Sequence, residues 1–321
     1  MDVSSTTYQL YPDIEAYDKG LLDLDGHHQM YWEVSGNPDG VPVVFLHGGP
    51  GAGAAPSHRR FFDPEYYRIV IFDQRGSGRS KPFADVSNNT TQHLLSDMEV
   101  LRQHLKIDKW LVFGGSWGSS LALAYGIEHS ERVLGFILRG IFLCSQKELD
   151  WFLDGIKAVF PENWREFSEY LPADERADLL GAYHQRLVDP DRHVHEPAAR
   201  VWARFEGACS TLLPSHRGVS GLDSGRASVA LARIEAHYFV NDLYLPENYF
   251  FDHLERIRHL PGTIVQGRYD MVCPIGTADA LAKELPELSY VVVPDAGHSA
   301  MEPAVRSALV GATERFKMSQ K

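Results

Sequence analysis

The feature that most constrains the fold is an alternation of short apolar runs with stretches of helical periodicity. Residues 41–47 and 67–73 are continuous apolar runs, which is typical of strands buried on both faces of a sheet. Residues 91–105 instead place leucine and methionine at helical spacing, and strand-like runs follow at 110–113 and 133–138. This alternation predicts an α/β fold with a mostly parallel central sheet and helices on both faces.

A long helical segment interrupts the alternation. Over residues 145–251, apolar and aromatic side chains recur with a helical period, prolines separate the runs, and stretches of β-branched residues are nearly absent. Strand-like runs return at 263–266 and 290–293. We therefore expect one α/β core built from residues 1–144 and 252–321, with an inserted helical cap between its two parts.

Composition argues against several classes of protein. The 321 residues include 31 basic and 43 acidic side chains, and the resulting net charge of −12 disfavours nucleic acid or an anionic membrane as a partner. No apolar run approaches the roughly 18 residues of a membrane span. Only three cysteines occur, with no Cys-x-x-Cys pair, which favours a reducing compartment. We expect a cytoplasmic protein, whose oligomeric state stays open.

One turn in the pattern carries the features of a nucleophile. Residues 114–118 read Gly-Gly-Ser-Trp-Gly, follow the buried run at 110–113 and lead directly into an apolar helical stretch. A serine on a strained strand-to-helix turn needs small neighbours, so that its hydroxyl projects from the carboxyl end of the sheet. The helix that follows favours negative charge developing beside its N-terminus. We predict Ser116 as a catalytic nucleophile rather than an idle serine in a glycine-rich turn.

A serine nucleophile needs a base and an acid that orients the base. In hydrolases of this architecture the order along the chain is serine, acid, histidine. Asp270 and His298 each follow one of the two strand-like runs after the helical segment, so both belong to the same sheet edge as Ser116. We predict Asp270 as the orienting acid and His298 as the base. Asp295 stays open as a rival acid, although it precedes His298 within the same loop.

The loop after the run at 41–46 supplies a candidate oxyanion hole. It reads His-Gly-Gly-Pro-Gly at residues 47–51, and glycine lets the backbone approach a substrate without an intervening Cβ. A tetrahedral intermediate needs hydrogen-bond donors at its oxyanion. The amide of Trp117, directly after the nucleophile, is the first predicted donor, and that of Gly49 or Gly48 is the second.

Cofactor and metal sites are disfavoured by spacing. Residues 49–53 lack the glycine spacing of a dinucleotide-binding loop, prolines interrupt the helix that such a loop requires, and no Gly-Lys-Ser/Thr follows. Among 15 histidines, the pair His27 and His28 and the pair His193 and His195 come nearest to ligand spacing. Neither pair is accompanied in sequence by a His-Glu-x-x-His motif or an acidic cluster. We expect surface histidines, no metal and no cofactor.

Four motifs in this order resemble those of the proline iminopeptidase family, the prolyl aminopeptidases. They are His-Gly-Gly-Pro-Gly at 47–51, Asp-Gln-Arg-Gly-Ser-Gly-Arg-Ser at 73–80, Gly-Gly-Ser-Trp-Gly at 114–118 and Gly-His at 297–298. The resemblance extends over nearly the whole chain. It implies an α/β-hydrolase fold with a helical cap, and a serine peptidase that removes N-terminal proline from peptides.

Carried over by position, the resemblance implies roles for individual residues of the core. It matches Ser116, Asp270 and His298 with the family's catalytic triad. It also matches the backbone amides of Gly49 and Trp117 with the family's oxyanion hole. The resemblance therefore implies the same five residues, with Gly49 as the second donor.

The resemblance also implies a substrate site in the cap. The family motif Trp-x-x-Trp-Glu reads Trp-Ala-Arg-Phe-Glu here and ends at Glu206, with phenylalanine at its second tryptophan. A second family glutamate matches Glu235, and Phe142 and Arg139 resemble further substrate-binding residues. A buried ammonium group requires a carboxylate partner. The resemblance therefore implies that both glutamates hold the amine of the substrate, with Arg139 paired to one of them, whereas the residue pattern alone favours two solvated glutamates on helices.

These residues together predict a serine aminopeptidase that releases N-terminal proline through an acyl-enzyme on Ser116. The nearest alternative is a related α/β-hydrolase, either an esterase or a broader aminopeptidase. An esterase has no cation to neutralise, so Glu206 and Glu235 distinguish the two. A non-catalytic receptor on a hydrolase scaffold is a third interpretation, and such a receptor has no need for an acid and a histidine in sequence order.

Overall fold

An eight-stranded sheet is central to the computed structural model, which describes residues 7–213 and 225–319. Its strands are β1 (Ala16–Asp23), β2 (Gln29–Gly36), β3 (Val41–Leu46), β4 (Tyr67–Phe72), β5 (Trp110–Ser116), β6 (Val133–Ile141), β7 (Gly262–Gly267) and β8 (Leu288–Val293). They lie in the order β1-β2-β4-β3-β5-β6-β7-β8. Only the β1–β2 and β2–β4 pairs are antiparallel. The expected α/β fold with a mostly parallel sheet is confirmed.

Strand β1 was not among the strands predicted from the sequence. It lies at the edge of the sheet, pairs only with β2, and leaves Tyr17 and Leu21 exposed. Such a strand lacks the continuous apolar run that marks a strand covered on both faces. Its pairing with β2, rather than its own composition, therefore determines its conformation.

Helices cover both faces of the sheet. The α-helices are α1 (Thr91–His104), α2 (Trp117–Glu128), α3 (Gln146–Leu153), α4 (Pro161–Glu169), α5 (Leu179–Leu187), α6 (Arg192–Cys209), α7 (Gly225–Phe239), α8 (Tyr249–His253), α9 (Ile275–Glu284) and α10 (Pro303–Ser319). One core contains apolar side chains of α1, α2 and α9, and the other those of α10. None of the described helices combines the length and the apolarity that crossing a bilayer requires.

The described residues between β6 and β7 form helices and no strand. Helices α3 to α8 occupy this part of the chain, and an aromatic cluster holds several of them together. Phe167 of α4 stacks on Tyr183 of α5 at 4.5 Å between ring centroids and on Phe205 of α6 at 4.4 Å. The boundaries of the cap at 145 and 251 remain a prediction, and α8 runs across the second of them.

Candidate active site

Ser116 lies in the sharp turn between β5 and α2. Its backbone has φ 57° and ψ −131°, a strained conformation for a residue with a side chain. The neighbouring glycines are required sterically, because a Cβ at Gly114 would lie 2.1 Å from the carbonyl oxygen of Gly118. A Cβ at Gly118 would lie 2.3 Å from the carbonyl oxygen of Leu46. The turn therefore places the serine at the carboxyl edge of the sheet, with α2 directly behind it.

Asp270 and His298 meet in the loops that follow β7 and β8. The Nδ1 atom of His298 lies 3.0 Å and 2.9 Å from the two carboxylate oxygens of Asp270. The backbone amides of Val272 and Cys273 donate to the Asp270 carboxylate at 3.1 Å and 2.8 Å, which holds it in place. Asp295, the rival acid, is exposed. The geometry thus joins His298 to Asp270.

Arg139 occupies the other side of the His298 ring. Its Nη1 donates to Nε2 of His298 at 2.9 Å and to the backbone carbonyl of the same residue at 3.1 Å. Because Nε2 accepts this bond, the remaining ring proton lies on Nδ1 and points to Asp270. Burial lowers the pKa of the Arg139 guanidinium. The ion pair with Glu206 or Glu235 expected from the resemblance is not formed among the described residues; Arg139 contacts His298 instead.

Two backbone amides near Ser116 are free to bind an oxyanion. Within residues 7–213 and 225–319, the N–H groups of Gly49 and Trp117 make no hydrogen bond to protein atoms. Trp117 begins α2, and the first N–H groups of a helix have no partner within it. Gly49 has φ +105°, a conformation that favours glycine, so its neighbour Gly48 can approach Ser116 closely. Both predicted donors are thus available.

A buried hydrogen-bond network fixes the loops that carry these amides. The backbone amide of Gln74 donates to Nε2 of His47 at 3.0 Å, and the Gln74 side chain donates to the His47 carbonyl at 2.9 Å. The indole N–H of Trp117 donates to Oε1 of Gln74 at 2.9 Å. Burial lowers the pKa of His47, so its ring stays neutral and can accept. His47 and Gln74 therefore join the Gly49 loop to the start of α2.

Glu206 of α6 and Glu235 of α7 form a coupled acidic pair. Burial together with the neighbouring negative charge of Glu206 raises the pKa of Glu235 well above its ordinary value. Burial raises the pKa of Glu206 to about 7. The indole N–H of Trp202 donates to Oε2 of Glu235 at 2.6 Å, whereas the buried Oε2 of Glu206 has no hydrogen-bond partner. Glu206 also lines the cavity at Ser116.

Phe205 stands where the family motif has its second tryptophan. Its ring packs against Phe152 at 5.5 Å and belongs to the aromatic cluster of the helical segment. Phe142 is buried, and its ring lies 6.3 Å from that of Phe239. Phe142 is not among the residues that line the cavity at Ser116. Its predicted contact with substrate stays a prediction.

A cavity of about 270 Å³ lies beside the nucleophile. Ser116, His298, Arg139, Gly49 and Glu206 all line it, so it brings residues of the core and of α6 to one space. The cap rests directly on the catalytic loops, because a Cβ at Gly51 would lie 2.6 Å from the backbone oxygen of Ala230 in α7. The backbone carbonyl of Ser210, after α6, accepts from the amides of His298 and Ser299 at 3.1 Å and 2.8 Å.

Sequence reasoning assigned no role to several residues at this site. His47 and Gln74 lie in the quoted motifs at 47–51 and 73–80, but no pattern indicated that they bond to each other. Gln266 donates to Asp270 at 3.1 Å. His58 also lines the cavity, stacks on Phe45, and is kept neutral because burial lowers its pKa to about 4. For His47 and Gln74, the only signal available in the sequence was their position within these two motifs.

Residues 41–304 match a family model described as the alpha/beta hydrolase fold, which defines the class of protein. Proline iminopeptidase of Arabidopsis thaliana is 51% identical over 311 residues, covering 96% of this chain and 82% of that protein. A probable proline iminopeptidase of Leptolyngbya boryana is 50% identical, with 96% and 97% covered. The crystal structure of proline iminopeptidase from Mycobacterium smegmatis shares the fold, with a TM-score of 0.61, 17% identity and coverage of 95% and 100%. The chain therefore belongs to the proline iminopeptidase family of α/β hydrolases.

Proposed function

We propose that this chain is a serine aminopeptidase that releases N-terminal proline from peptides through an acyl-enzyme on Ser116. The observation that carries the proposal is the coupled pair of Glu206 and Glu235, with Glu206 lining the same cavity as Ser116. A neighbouring carboxylate pair suits the cationic amine at a peptide N-terminus. The names of the relatives, proline iminopeptidase, support proline as the residue released.

Ser116 is the proposed nucleophile and His298 the proposed base. The Oγ atom of Ser116 attacks the carbonyl carbon of the first residue, and its proton passes to Nε2 of His298. Asp270 holds the ring with its proton on Nδ1 and stabilises the imidazolium that forms. The imidazolium then protonates the leaving amine. Water next attacks the acyl group while His298 takes its proton, and His298 returns a proton to Ser116 as the acyl group is released. For these reaction steps to occur, Arg139 must first move away from Nε2 of His298. The arginine and the serine hydroxyl both donate to the same lone pair of that nitrogen.

The amides of Gly49 and Trp117 are the proposed oxyanion donors. Preorganised donors act where charge develops in the transition state, and here they need not be withdrawn from other hydrogen bonds. The network through His47 and Gln74 keeps both loops in place, so little reorganisation is required when the charge appears. The helix that begins at Trp117 adds a favourable dipole.

Glu206 and Glu235 are the proposed anchor for the imino group of proline. A pair that shares one proton carries one negative charge, which matches the single positive charge of a prolyl N-terminus. The carboxylate of Glu206, which lines the cavity, accepts from the imino group, while Trp202 holds Glu235 in position. A longer peptide, with residues before the proline, has no cation at this point. The proposed activity is therefore restricted to the chain end.

A panel of three substrates tests the proposal most directly. We expect efficient release from proline arylamide, weaker release from alanine arylamide and very little from N-blocked proline arylamide. If the blocked substrate is hydrolysed as well as the free one, the amine anchor is wrong and the broader esterase interpretation is favoured. If none is hydrolysed and a fluorophosphonate does not label Ser116, the receptor interpretation is favoured.

The division into a core and a cap is part of the proposal, since residues 145–251 supply the selecting glutamates and the core supplies the triad. We also propose a cytoplasmic location. It rests on three cysteines that are all free, two of them buried, as is usual in a reducing compartment. Peptides with N-terminal proline are the proposed partners, and no cofactor enters the proposed chemistry.

A further inference from the structure

A second cluster of metal-ligating side chains lies outside the cavity, where the turn between β1 and β2 meets the loop after β4. It consists of His27, His28 and Asp85, whose nearest ligand atoms all lie within 4.8 Å of one another. Nε2 of His27 lies 3.4 Å from Oδ2 of Asp85, and Nε2 of His28 lies 3.6 Å from Oδ1. No acidic cluster accompanies this histidine pair in sequence, because Asp85 joins it only through the fold.

We propose that His27, His28 and Asp85 form a binding site for a divalent transition-metal ion of the zinc class. Two imidazole nitrogens and one carboxylate suit Zn²⁺ and its neighbours, whereas Mg²⁺ and Ca²⁺ prefer oxygen ligands alone. A tetrahedral Zn²⁺ with ligands at about 2.1 Å holds neighbouring ligand atoms about 3.4 Å apart. The separations of 3.4 Å and 3.6 Å, one to each oxygen of the Asp85 carboxylate, are close to this spacing, and all three ligand atoms lie within 4.8 Å of one another. Water would take the remaining, exposed position.

The strongest single observation is the orientation of His28. Its side chain is buried, and its Nε2 has no hydrogen-bond partner among the described residues. Its other nitrogen, Nδ1, lies 3.0 Å and 3.2 Å from the oxygens of Asp25 and 3.3 Å from Nη1 of Arg75. Nε2 faces the Asp85 carboxylate at 3.6 Å, and with the ring proton on Nδ1 its lone pair is available to a cation placed between them. A carboxylate behind a metal-binding histidine is also a common arrangement around zinc, where it fixes the ring.

The charges around the cluster favour an added cation. Asp25, Asp85 and Asp97 contribute three negative charges, and Arg75 contributes one positive charge. Nη1 of Arg75 donates to Asp25 at 2.8 Å and its Nε donates to Asp97 at 2.7 Å, so its charge is already shared between two carboxylates. A divalent ion would bring the formal charge of these four groups to zero, and Arg233 is a further cation that interacts with Asp85. Asp85 is the acid of this set that Arg75 does not contact.

The ion would join the β1–β2 turn to the loop beneath the cap. The Asp85 carbonyl accepts from the side chain of Asn89 at 3.1 Å. Asn89 in turn accepts from Nε2 of His237 and from the hydroxyl of Tyr238, both on α7 and both at 3.0 Å. A metal here therefore stabilises the loop on which α7 rests. Its expected effect is on stability rather than on the chemistry at Ser116.

The test is a titration of the metal-stripped full chain with Zn²⁺. Binding is measured by isothermal calorimetry, and its effect on stability is measured by thermal melting. We expect one equivalent to bind and to raise Tm, since a ligand that binds only the folded state stabilises it. His27→Ala and Asp85→Asn should each weaken binding by about tenfold or more, because each removes one of three ligands. Both side chains are partly exposed, so neither change opens a hole in the core.

His193→Ala is the matched control, since it removes an exposed histidine of the other pair and should leave binding unchanged. The proposal is overturned if the wild-type chain binds no zinc, or if His27→Ala and Asp85→Asn bind it as tightly as wild type. Equal stabilisation by Mg²⁺ also overturns it, because that result indicates general attraction to the acids. None of these outcomes depends on the proposed peptidase activity.

Discussion

Nη1 of Arg139 donates a hydrogen bond of 2.9 Å to Nε2 of His298, the nitrogen that is proposed to receive the proton of Ser116. The guanidinium packs against the nucleophile turn, where a Cβ at Gly115 would lie 2.6 Å from Nη2 of Arg139. In this arrangement the serine and the arginine compete for one lone pair. We therefore expect turnover to require displacement of Arg139 from the histidine.

We expect Arg139→Met to speed covalent labelling of Ser116 by an uncharged fluorophosphonate. The variant frees Nε2 of His298 while keeping an extended side chain in the space of the arginine. The measurement is the labelling rate at fixed probe concentration, with thermal melting to show that the variant is folded. A rate at least tenfold below wild type would mean that Arg139 supports the base rather than competing with the serine.

Ser116→Ala should lower kcat for proline arylamide by about 10⁴-fold or more, because the proposed triad acts as a unit. The same variant should take up no fluorophosphonate. Ser299→Ala is the matched control, since Ser299 presents another hydroxyl to the same cavity and should remain labelled at Ser116. Substantial turnover by a folded Ser116→Ala protein would contradict the assignment.

Asp270→Asn should lower kcat by about 10⁴-fold. An amide in this position can donate to Nδ1 of His298, which moves the ring proton to Nε2 and removes the acceptor that the serine needs. Asp295→Asn should leave kcat near the wild-type value, because that side chain is exposed and makes no bond to the histidine in the described structure. Steady-state kinetics of the two variants decide between the acids, and the reverse ranking would favour Asp295.

Glu206→Gln should lower kcat/KM for proline arylamide by about 100-fold, as expected when one member of a buried charged contact is removed. The same variant should hydrolyse an N-blocked proline ester within about threefold of wild type, because this substrate carries no cation. Glu166→Gln, at an exposed glutamate of α4, serves as the control. Equal losses for both substrates would show that Glu206 acts on the triad or on folding rather than on the amine.

The glutamate pair should make a contribution to the free energy of unfolding that falls as the pH rises from about 4.5 to 7 and beyond. The pKa of Glu206 is raised from 4.5 to about 7 and that of Glu235 is raised further, so the folded chain holds more protons than the unfolded chain in this range. By linkage, stability then decreases with pH.

Denaturant unfolding at several pH values measures this slope. Glu235→Gln should flatten it, because the variant removes the group of the pair whose pKa is raised well above its ordinary value. Glu166→Gln should retain the wild-type slope. An unchanged slope in Glu235→Gln would show that the pair does not titrate together.

The sequence was sufficient for those parts of the fold that have strong local patterns. Strands β3, β4 and β5 are buried on both faces and carry continuous apolar runs, so the α/β fold could be predicted. Strand β1 could not be predicted in this way, because an edge strand is stabilised by its partner rather than by its own composition. The motifs likewise could be recognised from local sequence, whereas the contacts between their residues could not.

By itself the sequence determined the chemical identity and the order of the candidate groups. Ser116 between small residues, Asp270 and His298 after strands, and two glutamates in a helical segment can all be read along the chain. Only the tertiary structure decided which groups meet. It placed Arg139 on His298 instead of on a glutamate, and it brought Asp85 to His27. Distances between residues far apart in sequence depend on packing and sheet register, which no local pattern encodes.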